Sequence, residues 1–126
     1  IITRGMLVQK SGRLIYMSST AAGMPNKGQG FYAAVKLAGE ALYKNIGIEL
    51  AAKGITSISL RPGYVNAGRG EKYISKSKNE ILKKIPAGKA LVSSEIAETI
   101  MFFLSDSARG FNATEIVMDG GLTAGK

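Results

Sequence analysis

Apolar positions along the chain switch between helical and strand-like spacing. Ile1, Ile2, Met6 and Leu7, with polar residues between them, predict the back end of an amphipathic helix within residues 1–10, stopped near Ser11-Gly12. Leu14, Ile15, Tyr16 and Met17 form a short apolar run between Gly12 and Ser18-Ser19, which predicts a buried strand. Phe31, Val35, Ala38, Leu42, Ile46 and Leu50 then recur at intervals of three and four, on one helical face. Lys53-Gly54 is the expected helix stop, a cation at the negative end and a residue free to take positive φ. A second strand is predicted at Ile55 to Leu60, closed by Arg61-Pro62-Gly63.

The segment 66–92 is polar, with Tyr73, Ile74, Ile81, Leu82 and Ile85 at helical spacing, hence a short helix in a loop. Ser93 or Ser94 is the expected cap of the next helix, with Glu95 and Glu98 in its first turn and Ile96, Ile100, Phe103 and Leu104 on its buried face. Glu115 to Met118 is a third strand. Three strands alternating with helices of this length require crossover connections, which puts the chain in the α/β class with a parallel sheet. No internal repeat or linker interrupts it, so residues 1–126 read as one domain or part of one.

Composition narrows the chemistry. Among 126 residues there is no His, Cys or Trp, so no Ser-His-Asp triad, Cys-His pair, disulfide or Cys/His metal site is available, and no metal is expected. Proton transfer is left to Tyr, Lys, Ser or a carboxylate. Hydrophobic residues at 45% and charged residues at 21% are ordinary globular usage. No apolar run approaches the roughly 18 residues of a membrane-spanning helix, and no signal pattern is present, so neither a membrane partner nor secretion is expected. The absence of Cys is compatible with the cytoplasm, the expected location.

Tyr32 and Lys36 lie four apart at the start of the first full helix and project from one face. An ammonium beside a phenol favours the phenolate and brings the group toward useful acid/base chemistry. With 5 Tyr and 12 Lys, chance supplies about 0.5 such pairs, so a solvated helix face is an equal reading of the spacing alone. Ser19 ends a strand at the carboxyl edge of the predicted sheet, where ligands of open α/β sheets bind. A hydroxyl there is able to bond the oxygen that receives the Tyr32 proton, although Ser18 and Ser19 also read as plain strand-end residues.

Ser19, the Tyr-x-x-x-Lys pattern of Tyr32 and Lys36, and Arg61-Pro62-Gly63-Tyr64-Val65 after the next strand together resemble the short-chain dehydrogenase/reductases. Ile85-Pro86-Ala87-Gly88-Lys89, Ser94-Glu95-Ile96-Ala97, Phe103-Leu104-Ser105-Asp106 and Met118-Asp119-Gly120-Gly121 follow in the order and spacing of that family's C-terminal part. The tail is similar to the 3-oxoacyl-carrier-protein reductase type, and the resemblance runs from Gly12 to Gly125. It implies the C-terminal half of a doubly wound, Rossmann-type parallel sheet, three strands with crossover helices. It also implies an NAD(P)-dependent oxidoreductase interconverting a carbonyl and an alcohol, with NAD or NADP as cofactor. Ser19 would polarise the substrate carbonyl, Tyr32 would exchange the proton, and Lys36 would assist Tyr32 and hold the nicotinamide ribose. Pro62 and Gly63 would lie beside the nicotinamide, the Val65 backbone would meet its carboxamide, and 66–92 would be the substrate-loop region.

The chain departs from that family in three places. It holds no Gly-rich G-x-x-x-G-x-G run for a pyrophosphate, residues 1–10 contain no Asn, and Ala67 stands where the family carries Thr. The nucleotide-binding half is therefore expected to lie outside these 126 residues. An inactive, truncated half-domain that serves only in association or oligomerisation is the alternative, and a basic binding module is a third reading. Gly120 to Lys126 also fits the start of a P-loop, without the Ser/Thr and helix that should follow.

The net charge is +8, and seven basic against two acidic residues fall between Arg69 and Lys89. A solvated face explains this first; an anionic or carrier-protein-bound substrate is the second reading. Nucleic acid is not an expected partner, since Tyr73 alone interleaves as an aromatic. The expected partners are a small carbonyl or alcohol substrate and further copies of the chain, as a dimer or tetramer.

Overall fold

The computed structural model describes residues 2–24 and 26–124, without the side chains of Ile2 and Arg69. The chain runs α1 (Ile2–Gln9), β1 (Gly12–Met17), α2 (Gly30–Leu50), β2 (Ile55–Pro62), α3 (Gly68–Lys76), α4 (Lys78–Lys84), α5 (Ser93–Leu104) and β3 (Thr114–Met118). The strands form one parallel sheet in the order β1-β2-β3, pairing Gly12 with Ile55 through Met17 with Leu60, and Ile58 with Thr114 through Pro62 with Met118. The α/β class and the three strands are those expected.

Strand β2 is central, and a central parallel strand must be covered on both faces. Ile55, Ser57, Ile58, Ser59 and Leu60 are accordingly buried. On one face Ile58 packs with Phe103 and Ala108, joined by Ile15 and Ile116. Burial of each Ile- or Phe-sized side chain there contributes about 1.5–3 kcal/mol. A second cluster, Ile74, Ile81, Ile85 and Leu122, holds α3 and α4 against the turn after β3.

The other face of β2 receives α2, and here the apolar stripe is a poor guide. Phe31, Val35 and Leu42 are exposed, at 86%, 49% and 58%, while the sheet side of the helix carries Lys36, Gly39, Glu40, Tyr43 and Gly47. The reason is close approach. A Cβ on Gly39 would stand 2.2 Å from the Tyr16 ring, and one on Gly47 would stand 2.6 Å from Asn112 Oδ1 and 3.3 Å from Ser57 Cβ. Asn112 occupies the gap, its Nδ2 donating to the Gly47 carbonyl while its Oδ1 accepts from the Ser57 amide, both at 2.9 Å.

Other expectations need correction. β1 is half-buried rather than buried, with Met17 exposed, because among the described residues it is an edge strand. The 66–92 segment forms two short helices that break at Ser77 instead of one. No serine hydroxyl caps α5; Glu95 Oε2 reaches back to accept from the Val92 amide at 2.9 Å. Leu104 on that helix is exposed, being turned away from the Phe103 cluster. α1 ends with Lys10 at φ +53, Lys10 N–H bonding Leu7 O and Ser11 N–H bonding Met6 O, a left-handed stop that places Gly12 in the strand.

Two buried carboxylates lie near the strand ends, Glu40 joining β1 and β2 to α2 and Asp119 closing the turn after β3. Glu40 accepts from Ser18 Oγ and from both Arg61 Nε and Nη2. Asp119 accepts from the Gly121 and Thr123 amides and from Thr123 Oγ1. Burial works against ionisation at Glu40, but the Arg61 and Ser18 bonds outweigh it and hold the group below its ordinary value. Burial is likewise outweighed at Asp119 by Thr123 and by the amides of that turn.

A Cβ added at exposed Gly5 in α1 would meet no atom within 4 Å, so Gly5→Ala should raise stability by up to about 1 kcal/mol. Gly47→Ala should instead lower it by about 1–3 kcal/mol; urea melts of the two variants check the opposite signs. Because both carboxyls titrate lower in the folded chain than in the unfolded one, they add stability above the ordinary carboxylate range. That contribution should disappear as pH falls through their lowered folded values, and Asp119→Asn should flatten the acid limb of unfolding free energy against pH.

Candidate active site

Strand β1 and the residue after it set the first hydroxyl. Ser18 N–H donates to Leu60 O at 2.8 Å, which extends the parallel pairing one residue past Met17. Ser19 then takes extended backbone angles and starts the buried turn Thr20–Ala22, its Oγ accepting from the Ala21 amide at 3.2 Å. The hydroxyl is thus held at the C-terminal edge of the sheet, with its proton free to be donated elsewhere.

Tyr32 stands in the first turn of α2, 47% exposed, and Lys36 follows one turn later. Lys36 Nζ donates to the Met17 carbonyl at 2.7 Å and lies 5.3 Å from the Tyr16 ring centre and 5.7 Å from that of Tyr32. One cation is therefore shared by two aromatic faces. The Tyr16 ring also lies 4.9 Å from that of Tyr43, tilted by 34°, and burial, with Glu40 close by, pushes its hydroxyl above the ordinary value of 10.0.

The end of β2 supplies the next wall. Gly63 N–H donates to Met118 O at 2.9 Å, which pins the Pro62-Gly63 turn to β3. Val65 forms an isolated parallel bridge with Leu91, made by Asn66 N–H to Leu91 O and Leu91 N–H to Tyr64 O. The peptide groups of Val65 itself take no part in that bridge.

Ser19, Tyr32, Pro62, Gly63 and Val65 line one cavity of about 580 Å³. Lys36 is not on its wall; its ammonium sits behind, on the Met17 carbonyl. Tyr73 and Gly70 of α3 close the opposite side, and Tyr73 stacks on Tyr64 with ring centres 6.1 Å apart and planes 7° from parallel. Burial pushes the Tyr64 hydroxyl above its ordinary value. Ala67 also lines the cavity.

Such an arrangement presents two hydroxyls, one fixed and one beside a cation, to a single pocket bounded by an aromatic pair. That donor set suits a polarised oxygen, and Pro62, Gly63 and Val65 form a further wall of the same cavity. Among the described residues no group of three or more acidic side chains is placed to hold a metal. The P-loop reading of 120–126 has no support, since Asp119 occupies the Gly121 and Thr123 amides and Gly125-Lys126 lie outside the described residues.

Sequence reasoning missed the Ser18–Glu40–Arg61 cluster and the Tyr64–Tyr73 stack. One signal was present: Glu40 follows Lys36 by four and so shares its helix face, an unexpected place for a carboxylate unless a cation meets it there.

Residues 2–123 match the family model described as Enoyl-(Acyl carrier protein) reductase. The chain is 31% identical over 121 residues to the 3-oxoacyl-(acyl-carrier-protein) reductase FabG of Buchnera aphidicola subsp. Baizongia pistaciae, covering 96% of this chain and 49% of that protein. It is 32% identical over 120 residues to the FabG of Staphylococcus aureus, covering 95% of this chain and 49% of that protein. Its fold matches a gluconate 5-dehydrogenase from Burkholderia cenocepacia, solved with NADP and tartrate, with TM-score 0.91 and 25% identity over 99% of this chain and 50% of that one. An oxidoreductase of the short-chain dehydrogenase/reductase family from Burkholderia thailandensis shares the fold with TM-score 0.90 at 24% identity, over 99% of this chain and 49% of that one. The chain spans about half the length of the curated relatives it matches. With its parallel sheet, its Tyr-x-x-x-Lys helix and a family match along nearly its whole length, the chain belongs to the short-chain dehydrogenase/reductases.

Proposed function

We propose that the chain is the catalytic part of a longer NAD(P)-dependent oxidoreductase that interconverts a carbonyl and an alcohol. The observation that carries this reading is the shared cavity. Hydroxyls from two separate elements, Ser19 after β1 and Tyr32 on α2, line it together with Pro62-Gly63, at the strand ends where open α/β sheets bind ligands. The NADP bound to the similar gluconate 5-dehydrogenase supports NAD or NADP as cofactor.

When bound, the nicotinamide supplies or accepts the hydride. Ser19 Oγ, already accepting from Ala21, donates its proton to the substrate carbonyl oxygen and polarises it. Tyr32 Oη gives that oxygen a proton in reduction and takes it back in oxidation. The Lys36 ammonium, 5.7 Å from the Tyr32 ring centre, would offset negative charge developing on Tyr32 and would help hold the nicotinamide ribose. Pro62, Gly63 and the Val65 backbone, which line the cavity, would hold the nicotinamide. The segment 66–92 would act as the substrate loop, with its Tyr73 stacked on Tyr64 at the cavity wall.

An anionic or carrier-bound substrate is supported by the excess of basic residues on α3 and α4 and by the names of the FabG relatives. A homo-oligomer, dimer or tetramer, is supported by the exposed apolar stripe of α2, and a cytoplasmic location agrees with this reading. Among the described residues no helix is long and apolar enough to cross a membrane. That same stripe also favours the second reading, an inactive half-domain that serves only in association.

In the full-length protein Tyr32→Phe should cut carbonyl reduction by about 10²–10⁴-fold, followed as NADPH oxidation at 340 nm, while NADPH affinity stays within about twofold. Unchanged turnover would remove Tyr32 from the proton-transfer role.

A further inference from the structure

Glu40 is 3% exposed on the sheet side of α2, one turn beyond Lys36. Ser18 Oγ donates to its Oε1 at 2.5 Å, Arg61 Nε donates to Oε1 at 2.7 Å, and Arg61 Nη2 donates to Oε2 at 2.6 Å. Each partner adjoins a part of the candidate site. Ser18 precedes Ser19, Arg61 precedes Pro62-Gly63, and Glu40 shares its helix with Tyr32 and Lys36.

A buried ion pair adds little net stability over an apolar pair of the same volume, so the pair's stability contribution does not explain its presence. Direction is what a forked guanidinium–carboxylate contact supplies, because two parallel bonds fix both separation and angle. Here that contact joins α2 to the end of β2, and the Ser18 bond adds the end of β1. Lys36 gives only one bond to the same region, from a flexible stem to a carbonyl.

We propose that Glu40 and Arg61 are positioning residues that lock the ends of β1 and β2 to α2 and so set the placement of Ser19 relative to Tyr32 and of Pro62-Gly63 relative to both. The geometric part stands by itself; the catalytic consequence rests on the function proposed above.

The test uses the full-length protein with E40M/R61M, which removes the tether without stranding a charge, and E40Q, which keeps the side-chain volume. Hydrogen exchange followed by mass spectrometry should show residues 17–22 and 61–65 exchanging about tenfold faster in E40M/R61M, and less so in E40Q, with 12–16 and 55–59 unchanged. In the same double variant kcat should fall about 100-fold while KM for the cofactor stays within about threefold. Unchanged local exchange overturns the proposal, as does wild-type kcat alongside accelerated exchange. Loss of protection across the whole sheet in both variants assigns a purely structural role and overturns it too. A wild-type protein without reductase turnover removes the functional reading, and the exchange pattern alone then decides the positioning role.

Discussion

Helix α2 carries Lys36 and Glu40 on its sheet side and Tyr32 at its first turn, and its height above the sheet is set where no side chain fits between them. Gly39 meets the Tyr16 ring and Gly47 meets Asn112 and Ser57. This seating brings a helix with a largely polar inner face close enough for Lys36 to reach the Met17 carbonyl and for Glu40 to reach Ser18 and Arg61. A bulkier inner face would lift the helix and with it every side chain that the site uses. The hydrophobic hold on β2 comes mainly from the opposite side, through Ile58, Phe103 and Ala108, which leaves the α2 side available for polar contacts.

Those contacts also suit a chain without His or Cys. Under the proposed function proton transfer runs through a hydroxyl, which is served by a nearby charge and a fixed neighbour. Lys36 supplies the charge beside Tyr32, and the Ser19 turn supplies the fixed neighbour. Placing the Glu40 carboxylate four residues from Lys36 would oppose that charge were it free. Its two bonds from Arg61 compensate it, so the region below Lys36 carries a neutral pair. Fold, charge and site thus share a small set of side chains at the ends of β1 and β2.

The strands were legible as short apolar runs between turn residues, and the long helices through the regular spacing of their apolar positions. Tyr32, Lys36, Ser19 and Pro62-Gly63 were legible through spacing and family resemblance, and they converge on one cavity apart from Lys36. The orientation of α2 was not legible. Its apolar stripe is exposed from Phe31 to Leu42 and half-buried only at Ile46 and Leu50, and much of the inner face is written in glycines and polar residues whose partners lie on other elements. The break at Ser77 carries neither Gly nor Pro, so two helices read as one. Glu40 and Arg61 are 21 positions apart and share no local signature, so only the folded chain reveals their pairing.

The central claim is that the ends of β1, β2 and α2 form a hydride-transfer site around Ser19, Tyr32 and Pro62-Gly63. Its most direct test is a crystal structure of the full-length protein with NADP and a carbonyl substrate analogue. The predicted result has the nicotinamide against Pro62-Gly63 and one analogue oxygen within about 3.2 Å of both the Ser19 and Tyr32 hydroxyls. A nicotinamide seated elsewhere, or an analogue oxygen bonded by neither hydroxyl, would contradict it.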